Sequence, residues 1–198
     1  GFVVTTNAFR AGLTDVVRAA VVAALSSDTS YAVRSSATAE DAPGTSFAGQ
    51  HDTFLGVTGD GAVLDAIEHC WVSLSNERAV EYRRRNEITD DDVAMAVVVQ
   101  EMIEPIASGV LFTADPMTGH RRTAVVEAVP GLGDALVSGR VQPDRYVVSE
   151  AGIVDGAQPT LTTAHVGELV ALGRRIEAHF GAPQDIEWCL DADGFAIV

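Results

Sequence analysis

Residues 33–54 of the chain read VRSSATAEDAPGTSFAGQHDTF. An apolar run that ends at Val33 delivers Arg34 into a series of serine, threonine, alanine and glycine residues. The planar guanidinium of arginine offers several donors to an oxyanion, and a charge-assisted bond of this kind contributes about 1.5–3 kcal/mol. Small residues let backbone N–H groups approach the same anion and form a concave nest. The composition fits a phosphate site at Arg34, and an ion pair with Glu40 or Asp41 in an ordinary loop fits it equally well.

The overall composition is that of a globular protein, and it limits the classes of partner. Of 198 residues, 47% are hydrophobic and 21% are charged, and the formal net charge is −15 with thirteen arginines and no lysine. We expect no nucleic-acid partner, because phosphate backbones require a broad basic surface. No apolar run has the length of a membrane span and no signal peptide opens the chain, so we expect a cytoplasmic protein with no membrane partner. Cys70 and Cys189 lie in apolar patterns typical of buried free thiols in a reducing compartment.

Apolar spacing predicts both helices and strands, and therefore an α+β fold. Apolar residues recur every three or four positions in four segments, which predicts helices at residues 14–25, 60–74, 76–85 and 166–180. The most apolar run, at residues 93–103, is rich in β-branched residues and predicts a strand buried on both faces. Shorter runs predict further strands at residues 2–5, 54–57, 108–116 (with its closing turn), 123–129, 145–148, 185–190 and 195–198.

Two carboxylates in the second half of the chain are candidates for binding chemistry. In the predicted hairpin at residues 185–198, Glu187 lies on the face opposite Trp188. Such a carboxylate can hold Mg²⁺, which prefers hard oxygen ligands and bridges phosphates, although a solvent-facing side chain fits the spacing equally well. Glu127 lies inside an apolar strand, where a carboxylate needs a partner or a metal. The glycine turn at residues 131–139 can hold phosphate on backbone N–H groups, but a glycine pair alone is a weak signal.

The run at residues 33–54 resembles the nucleotide-binding domain of the dikinase family, which includes phosphoenolpyruvate synthase, pyruvate phosphate dikinase and the rifampin phosphotransferases. The resemblance covers nearly the whole chain and is closest to the rifampin phosphotransferase branch. It rests on the phrases SFAGQHDT at 46–53, CW at 70–71, ERA at 77–79, ASG at 107–109, ALVSG at 135–139 and PQDIEWCL at 183–190.

The resemblance implies an ATP-grasp fold, in which two α+β lobes with mixed or antiparallel sheets and flanking helices hold Mg-ATP. We place the first lobe, with the phosphate-binding arginine loop, at residues 1–92. We place the second lobe, with an adenine-side strand and a metal-binding hairpin, at residues 93–198.

The resemblance also implies roles for five residues that contact ATP or its metal, namely Arg34, Gly49, Thr53, Gln100 and Glu187. Arg34 is the implied catalytic residue, which grips phosphate and steadies the transferred group. Gly49 lets a mobile loop close over the phosphates, and Thr53 adds a hydroxyl. Gln100 lies at the strand end that reads adenine, although spacing alone fits a polar residue at a sheet border. Glu187 holds Mg²⁺, which neutralises charge in phosphoryl transfer.

The implied reaction requires more than this chain. In the family, the β-phosphoryl group of ATP passes to a histidine on a separate swivelling domain. In the rifampin branch it then passes to a rifamycin hydroxyl, which inactivates the antibiotic and leaves AMP and phosphate. None of the five histidines lies in a phrase that matches the phosphorylated one. We therefore expect the chain alone to be incomplete for catalysis.

Three alternatives stay open from the sequence. The first is the same ATP-binding domain in a phosphoenolpyruvate synthase-like enzyme, with pyruvate as the acceptor. The second is a purely structural α+β domain. The third is a non-catalytic nucleotide-binding module. The family has a lysine that touches the nucleotide phosphates, in a glycine-rich segment before the phrase at residues 1–10, and this chain contains no lysine. The family also has more residues before Arg34 and around residue 160, so we expect that family residues are missing near 10–16 and 156–162.

Overall fold

The computed structural model describes residues 1–38, 52–85, 88–89, 93–137, 139–155 and 159–198. The chain divides into two compact units, Gly1–Met102 and Ile103–Val198, and its helices and antiparallel strands confirm the predicted α+β class. The boundary that we placed after residue 92 is wrong, because the strand Met95–Glu101 pairs with two strands of the first unit. Gln100 consequently belongs to the first unit.

The first unit is built on a four-stranded antiparallel sheet. Its elements are β1 (Phe2–Val4), α1 (Thr6–Ala11), α2 (Asp15–Ala24), β2 (Ser30–Ala37), β3 (Thr53–Thr58), α3 (Asp60–Ser73), α4 (Glu77–Arg85) and β4 (Met95–Glu101). The strand order is β1-β4-β2-β3, so the last strand of the unit lies inside the sheet.

A short turn joins α1 to α2. The N–H of Gly12 donates to the carbonyl of Phe9 at 3.2 Å, and the N–H of Thr14 donates to the carbonyl of Gly12 at 2.9 Å. The hydroxyl of Thr14 accepts from the N–H of Val17 at 3.4 Å, which caps α2 near its predicted start. These hydrogen bonds lie at or next to residues 10–16, the first of the two places where we expect family residues to be missing. The second place, residues 156–162, includes residues 156–158, which lie outside the described residues.

One face of the first sheet forms the core of this unit. Val33 of β2 and Val97 of β4 are fully buried on that face, and Val63 and Ile67 of α3 pack against them. β4 alternates between buried and half-buried residues, so the prediction of a strand buried on both faces is wrong. Alanine and valine also occupy its second face, which is why the run reads as uniformly apolar. The sheet thus has a core face and a partly open face.

Three consecutive arginines, at residues 83–85, end α4, and only two of them are exposed to solvent. Hydrogen bonds from Arg84 and then Arg85, both exposed, lower the pKa of Glu81 to about 2. Arg83 is instead buried, and its Nη1 donates to the carbonyl of Leu74 at 2.7 Å. Arg83 therefore ties α4 to the end of α3.

The second unit is built on a six-stranded antiparallel sheet. Its elements are β5 (Ala107–Phe112), β6 (Ala124–Pro130), α5 (Asp134–Val137), β7 (Asp144–Ser149), β8 (Gly152–Asp155), α6 (Thr163–Phe180), β9 (Asp185–Leu190) and β10 (Phe195–Ile197). The strand order is β10-β9-β5-β6-β7-β8, which places β9 beside β5 although four elements and α6 separate them in the chain.

Helix α6 covers one face of the second sheet. The buried residues Val166 and Leu169 of α6 share a cluster with Leu111 of β5 and Trp188 of β9. A β-carbon at Gly173 of α6 would overlap with Cδ2 of Leu111, so the glycine lets the helix approach the sheet closely. This helix and the three strands form the core of the second unit.

Helix α6 is capped at both ends and begins three residues before its predicted start at residue 166. The hydroxyl of Thr162 accepts from the N–H of His165 at 3.1 Å and caps the first turn. Gly181 has a φ of 72° and ends the helix in the left-handed conformation. The turn between β9 and β10 likewise has Gly194 at a φ of 126°, as expected for the predicted hairpin.

Gly109 permits a close approach of three strands in the second sheet. A β-carbon at this position of β5 would overlap with the carbonyl oxygen of Glu127 on β6. It would also lie 2.9 Å from Cζ2 of Trp188 on β9. The spacing of the sheet at this point therefore depends on the absence of a side chain.

Each unit contains one of the two tryptophans of the chain. Trp71 of α3 packs edge to face on Phe9, with 5.7 Å between the ring centroids. Trp188 is fully buried and packs edge to face on Phe195, with 5.6 Å between the ring centroids. Within the described chain, neither indole N–H has a hydrogen-bond partner.

Candidate functional site

Three of the five predicted site residues lie on the open face of the first sheet. Arg34 of β2 is directly opposite Thr53 of β3 on one side and Val98 of β4 on the other. Directly opposite residues of an antiparallel sheet have their side chains on the same face. Gln100 is two positions along β4 from Val98 and shares that face. The structure therefore brings Arg34, Thr53 and Gln100 together.

Arg34 and Gln100 are in direct contact. Nη1 of Arg34 donates a long hydrogen bond of 3.4 Å to Oε1 of Gln100, and both side chains are half-buried. A guanidinium held in place by an amide oxygen presents a planar fork of donors suited to an oxyanion. Just beyond Gln100, one backbone donor is used within the first unit, since the N–H of Met102 donates to the carbonyl of Ser30 at 2.8 Å.

The backbone after Arg34 differs from the predicted phosphate nest. Residues 35–37 continue β2 and pair with residues 95–97 of β4. An extended strand does not form the concave turn of successive N–H groups that a nest requires, so residues 35–37 contribute no nest. The rest of the predicted segment, residues 39–51, lies outside the described residues, and a nest there stays a prediction. Gly49, like the alternative partners Glu40 and Asp41, lies outside the described residues.

A single row of residues carries charge across the second sheet. Glu187 of β9 is opposite Val110 of β5, and Val110 is opposite Glu127 of β6. Glu127 is in turn opposite Arg145 of β7. All four side chains share the face turned away from α6, because Trp188, the neighbour of Glu187, lies in the cluster with α6. The prediction that Glu187 and Trp188 lie on opposite faces of the sheet is confirmed.

The charged row lies between less polar rows of the same face. Phe112 and Val125 lie opposite each other on one side of it, with the exposed Asp185 opposite Phe112 on β9. Cys189 and Val129 lie on the other side, each opposite Ser108. Glu127 and Glu187 are both half-buried. Because little water surrounds such carboxylates, their interactions with a bound cation are stronger than at an open surface.

The two carboxylates of this row fit a magnesium ion that also binds an anionic ligand. They flank Val110, so their Cα atoms lie two strand spacings apart, about 10 Å. Among the described residues, no group of three or more His, Cys, Asp or Glu side chains could hold a metal. Mg²⁺ is commonly held by one or two carboxylates together with phosphate oxygens and water. The donor set therefore fits Mg²⁺ in the presence of a phosphate ligand.

The sequence did not predict that Glu127 and Glu187 lie in the same row of the second sheet, each opposite Val110. The signal was present, because Glu127 is the one charged residue of the apolar run at residues 123–129. The link depends on β5, which separates β6 from β9 in the sheet, and on the register of both pairings.

The two thiols are poor candidates for nucleophilic chemistry. Burial raises the pKa of Cys70 to about 12, and burial also raises the pKa of Cys189. Both cysteines are free and buried, as predicted. The thiolate is the reactive form of cysteine, so both residues fill core space instead.

Comparisons with known sequences match this chain to a dikinase domain and to several larger enzymes. A sequence model described as pyruvate phosphate dikinase, AMP/ATP-binding domain, matches residues 3–154 and 151–198. A rifampicin phosphotransferase of Streptomyces sp is 51% identical over 216 residues, which covers 94% of this chain and 25% of the relative. A rifampicin phosphotransferase of Bacillus subtilis (strain 168) is 45% identical over 213 residues, which covers 93% of this chain and 25% of the relative. A probable phosphoenolpyruvate synthase of Methanothermobacter thermautotrophicus is 43% identical over 199 residues, which covers 86% of this chain and 29% of the relative.

The chain spans about a quarter of the length of these relatives. The alignments of 216 and 213 residues are longer than the chain of 198 residues, so the relatives contain residues with no counterpart here. That such residues are missing near 10–16 and 156–162 stays a prediction. Among the described residues, no helix combines the length and the apolar composition that a membrane span requires.

Proposed function

Because the chain belongs to the pyruvate phosphate dikinase AMP/ATP-binding domain family, we propose that it binds Mg-ATP as the nucleotide site of a dikinase-type phosphotransferase. The family match over residues 3–154 and 151–198 is the observation that carries the proposal. The grouping of Arg34, Thr53 and Gln100 on one sheet face and the carboxylate row on another support it.

The proposed contacts to the phosphates and the base are residues of the first unit. Arg34 binds phosphate oxygens and stabilises the charge of the transferred group, as a charge-assisted donor. Gln100 holds Arg34 through their hydrogen bond and lies beside the adenine ring. Thr53, which is exposed opposite Arg34, adds a hydroxyl. Gly49 allows the backbone of its segment to approach the phosphates.

The proposed metal ligand is Glu187 of the second unit. Glu187 is half-buried and lies on the sheet face away from the core. Mg²⁺, when bound with ATP, neutralises phosphate charge and fixes the orientation of the phosphate chain. The role of Glu187 is to set the place where this cation binds.

For the whole protein, we propose transfer of the β-phosphoryl group of ATP to a rifamycin antibiotic. The group passes first to a histidine on a separate swivelling domain and then to a rifamycin hydroxyl, while the γ-phosphoryl group passes to water. ATP, rifamycin and water thus become AMP, inorganic phosphate and phosphorylated rifamycin. Relatives at 45% and 51% identity are named rifampicin phosphotransferases, and their length leaves room for further domains. We place the protein in the cytoplasm, where ATP is available.

A phosphoenolpyruvate synthase-like enzyme is the second candidate. It is favoured by a relative at 43% identity that is named a probable phosphoenolpyruvate synthase. The same nucleotide site would then serve a reaction in which pyruvate accepts the phosphoryl group.

A non-catalytic nucleotide-binding module is the third candidate. It is favoured by the lack of any lysine in the chain, since lysine commonly binds phosphates as a point charge. Such a module would bind Mg-ATP without releasing AMP.

Calorimetric titration with Mg-ATP tests the site. We expect Arg34→Ala to raise the Kd about 10- to 150-fold, because a charge-assisted bond contributes about 1.5–3 kcal/mol. Glu187→Gln should weaken Mg-ATP binding strongly and leave AMP binding without metal unchanged. Arg10→Ala and Glu168→Gln are matched controls, since both residues are exposed and change charge in the same way. Equal Mg-ATP binding by all variants would refute the site assignment.

An acceptor assay tests the reaction. The intact protein is incubated with Mg-ATP and either rifampicin or pyruvate, and AMP, phosphate and the phosphorylated acceptor are quantified. We expect AMP and phosphorylated rifampicin in equal amounts. Phosphoenolpyruvate formation would favour the second candidate, and ATP binding with no AMP release would favour the third.

A further inference from the structure

Glu127 is a half-buried carboxylate for which the described chain provides no partner. It lies in β6 among Val125, Val126, Ala128 and Val129, which are all buried. It makes neither an ion pair nor a side-chain hydrogen bond with any described residue. Arg145 is directly opposite on β7 but exposed, and no ion pair joins the two. Burial of an unpaired carboxylate is costly, so its position calls for a cationic ligand.

Glu127 and Glu187 are placed to act on the same cation. Val110 is opposite both of them, so the two carboxylates rise from the same face on either side of one residue. Their Cα atoms lie about 10 Å apart, and both side chains are long enough to lean over the short side chain of Val110. Mg²⁺ binds oxygens at about 2.0–2.1 Å and usually keeps several waters, so one carboxylate can bind directly and the other through water.

We propose that Glu127 is a second carboxylate for the cation that accompanies ATP, acting together with Glu187. This inference rests on the proposed function, because it assigns one more residue to the same nucleotide–metal site. Arg145 is not assigned to this site, because it is exposed and makes no ion pair with Glu127.

The test is a titration of Mg²⁺ at fixed ATP, with nucleotide binding to the intact protein as the readout. We expect Glu127→Gln to raise the Mg²⁺ concentration needed for half-maximal ATP binding about tenfold or more, the usual effect of altering a metal's carboxylate surroundings. Glu187→Gln should raise it at least as much. Glu168→Gln, on the exposed side of α6, should leave it unchanged. Metal-free AMP should bind to wild type and Glu127→Gln equally.

Two further variants separate a metal role from a structural one. Arg145→Ala should change the half-maximal Mg²⁺ concentration less than about threefold, because the arginine does not act on the cation. Glu127→Asp keeps the charge and should recover part of the lost Mg²⁺ affinity. Thermal unfolding of each variant without nucleotide shows whether it is folded.

Each outcome bears on a different claim. If Glu127→Gln behaves as wild type while Glu187→Gln is impaired, the inference is wrong and the proposed function stands. If Arg145→Ala and Glu127→Gln shift the Mg²⁺ requirement equally, Glu127 acts through its strand partner and the inference is again wrong. If wild type fails to bind Mg-ATP at any Mg²⁺ concentration, the proposed function itself is wrong.

Discussion

Replacing Gly109 by alanine should destabilise the second unit more than an added methyl group usually does. The new β-carbon would overlap with the carbonyl oxygen of Glu127 and lie 2.9 Å from Cζ2 of Trp188. The first of these neighbours is backbone of a paired strand, which no change of rotamer can move aside. β5 and β6 would therefore have to separate, at the point where Val110 and Glu127 form the charged row.

The size of the effect follows from the kind of neighbour. Adding a methyl group to a packed core typically costs 1–3 kcal/mol, and we expect a cost near the upper end, about 3 kcal/mol, because backbone must yield. In proteins of this size each kcal/mol corresponds to about 2–4 °C in Tm, so Gly109→Ala should unfold about 6–12 °C below wild type. Mg-ATP binding should weaken as well, because the substitution displaces Glu127.

Gly167 of α6 is the matched control. No atom lies within 4 Å of a β-carbon built at this position. Alanine is favoured over glycine inside a helix by about 0.5–1 kcal/mol, so the same substitution here should raise the Tm by about 1–4 °C. Thermal and urea unfolding followed by far-ultraviolet circular dichroism measure both variants. A Gly109→Ala protein as stable as wild type would refute the claim that these strands depend on a missing side chain.

Three other perturbations have defined outcomes. Thr162→Ala removes the hydroxyl that accepts from His165 and should lower the free energy of unfolding by about 1 kcal/mol in urea; an unchanged midpoint would show that the cap is unimportant. Glu81 should titrate by NMR with a midpoint near the pKa of about 2 that its arginine partners impose. Since that pKa is lowered in the folded state, the stability from these contacts is present above the ordinary value of 4.5 and is lost as the pH falls toward 2; a midpoint at 4.5 would mean that the contacts do not persist. Cys70 and Cys189 should react with a thiol reagent only after denaturation, because burial raises the pKa of both, and fast labelling of the native protein would contradict this.

Features that depend on neighbours in sequence could be predicted. The period of apolar residues gave the helices α3 and α6, and Gly181 marked the end of α6 through its left-handed conformation. Alternation along β9 placed Glu187 opposite Trp188. By contrast β8, which spans only Gly152–Asp155, carries no clear apolar alternation and was missed.

Features that depend on pairing between distant strands could not be predicted. β4 joins the first sheet through its partners β1 and β2, which moved the boundary between the units past Gln100. The row that links Glu187, Val110 and Glu127 requires the order β9-β5-β6, and no local pattern records that order. Whether Arg34 is followed by strand or by an anion-binding turn is likewise decided by β4, whose residues 95–97 pair with residues 35–37.

The distribution of the two indoles makes the two halves of this chain optically separable. Trp71 reports on the first unit and Trp188 on the second, and the chain has no third tryptophan. With excitation selective for tryptophan over tyrosine, a protein with Trp71→Phe would emit from the second unit alone, and one with Trp188→Phe from the first. Denaturation recorded on this pair of single-emitter proteins would reveal whether the units melt together or in sequence, without any extrinsic dye.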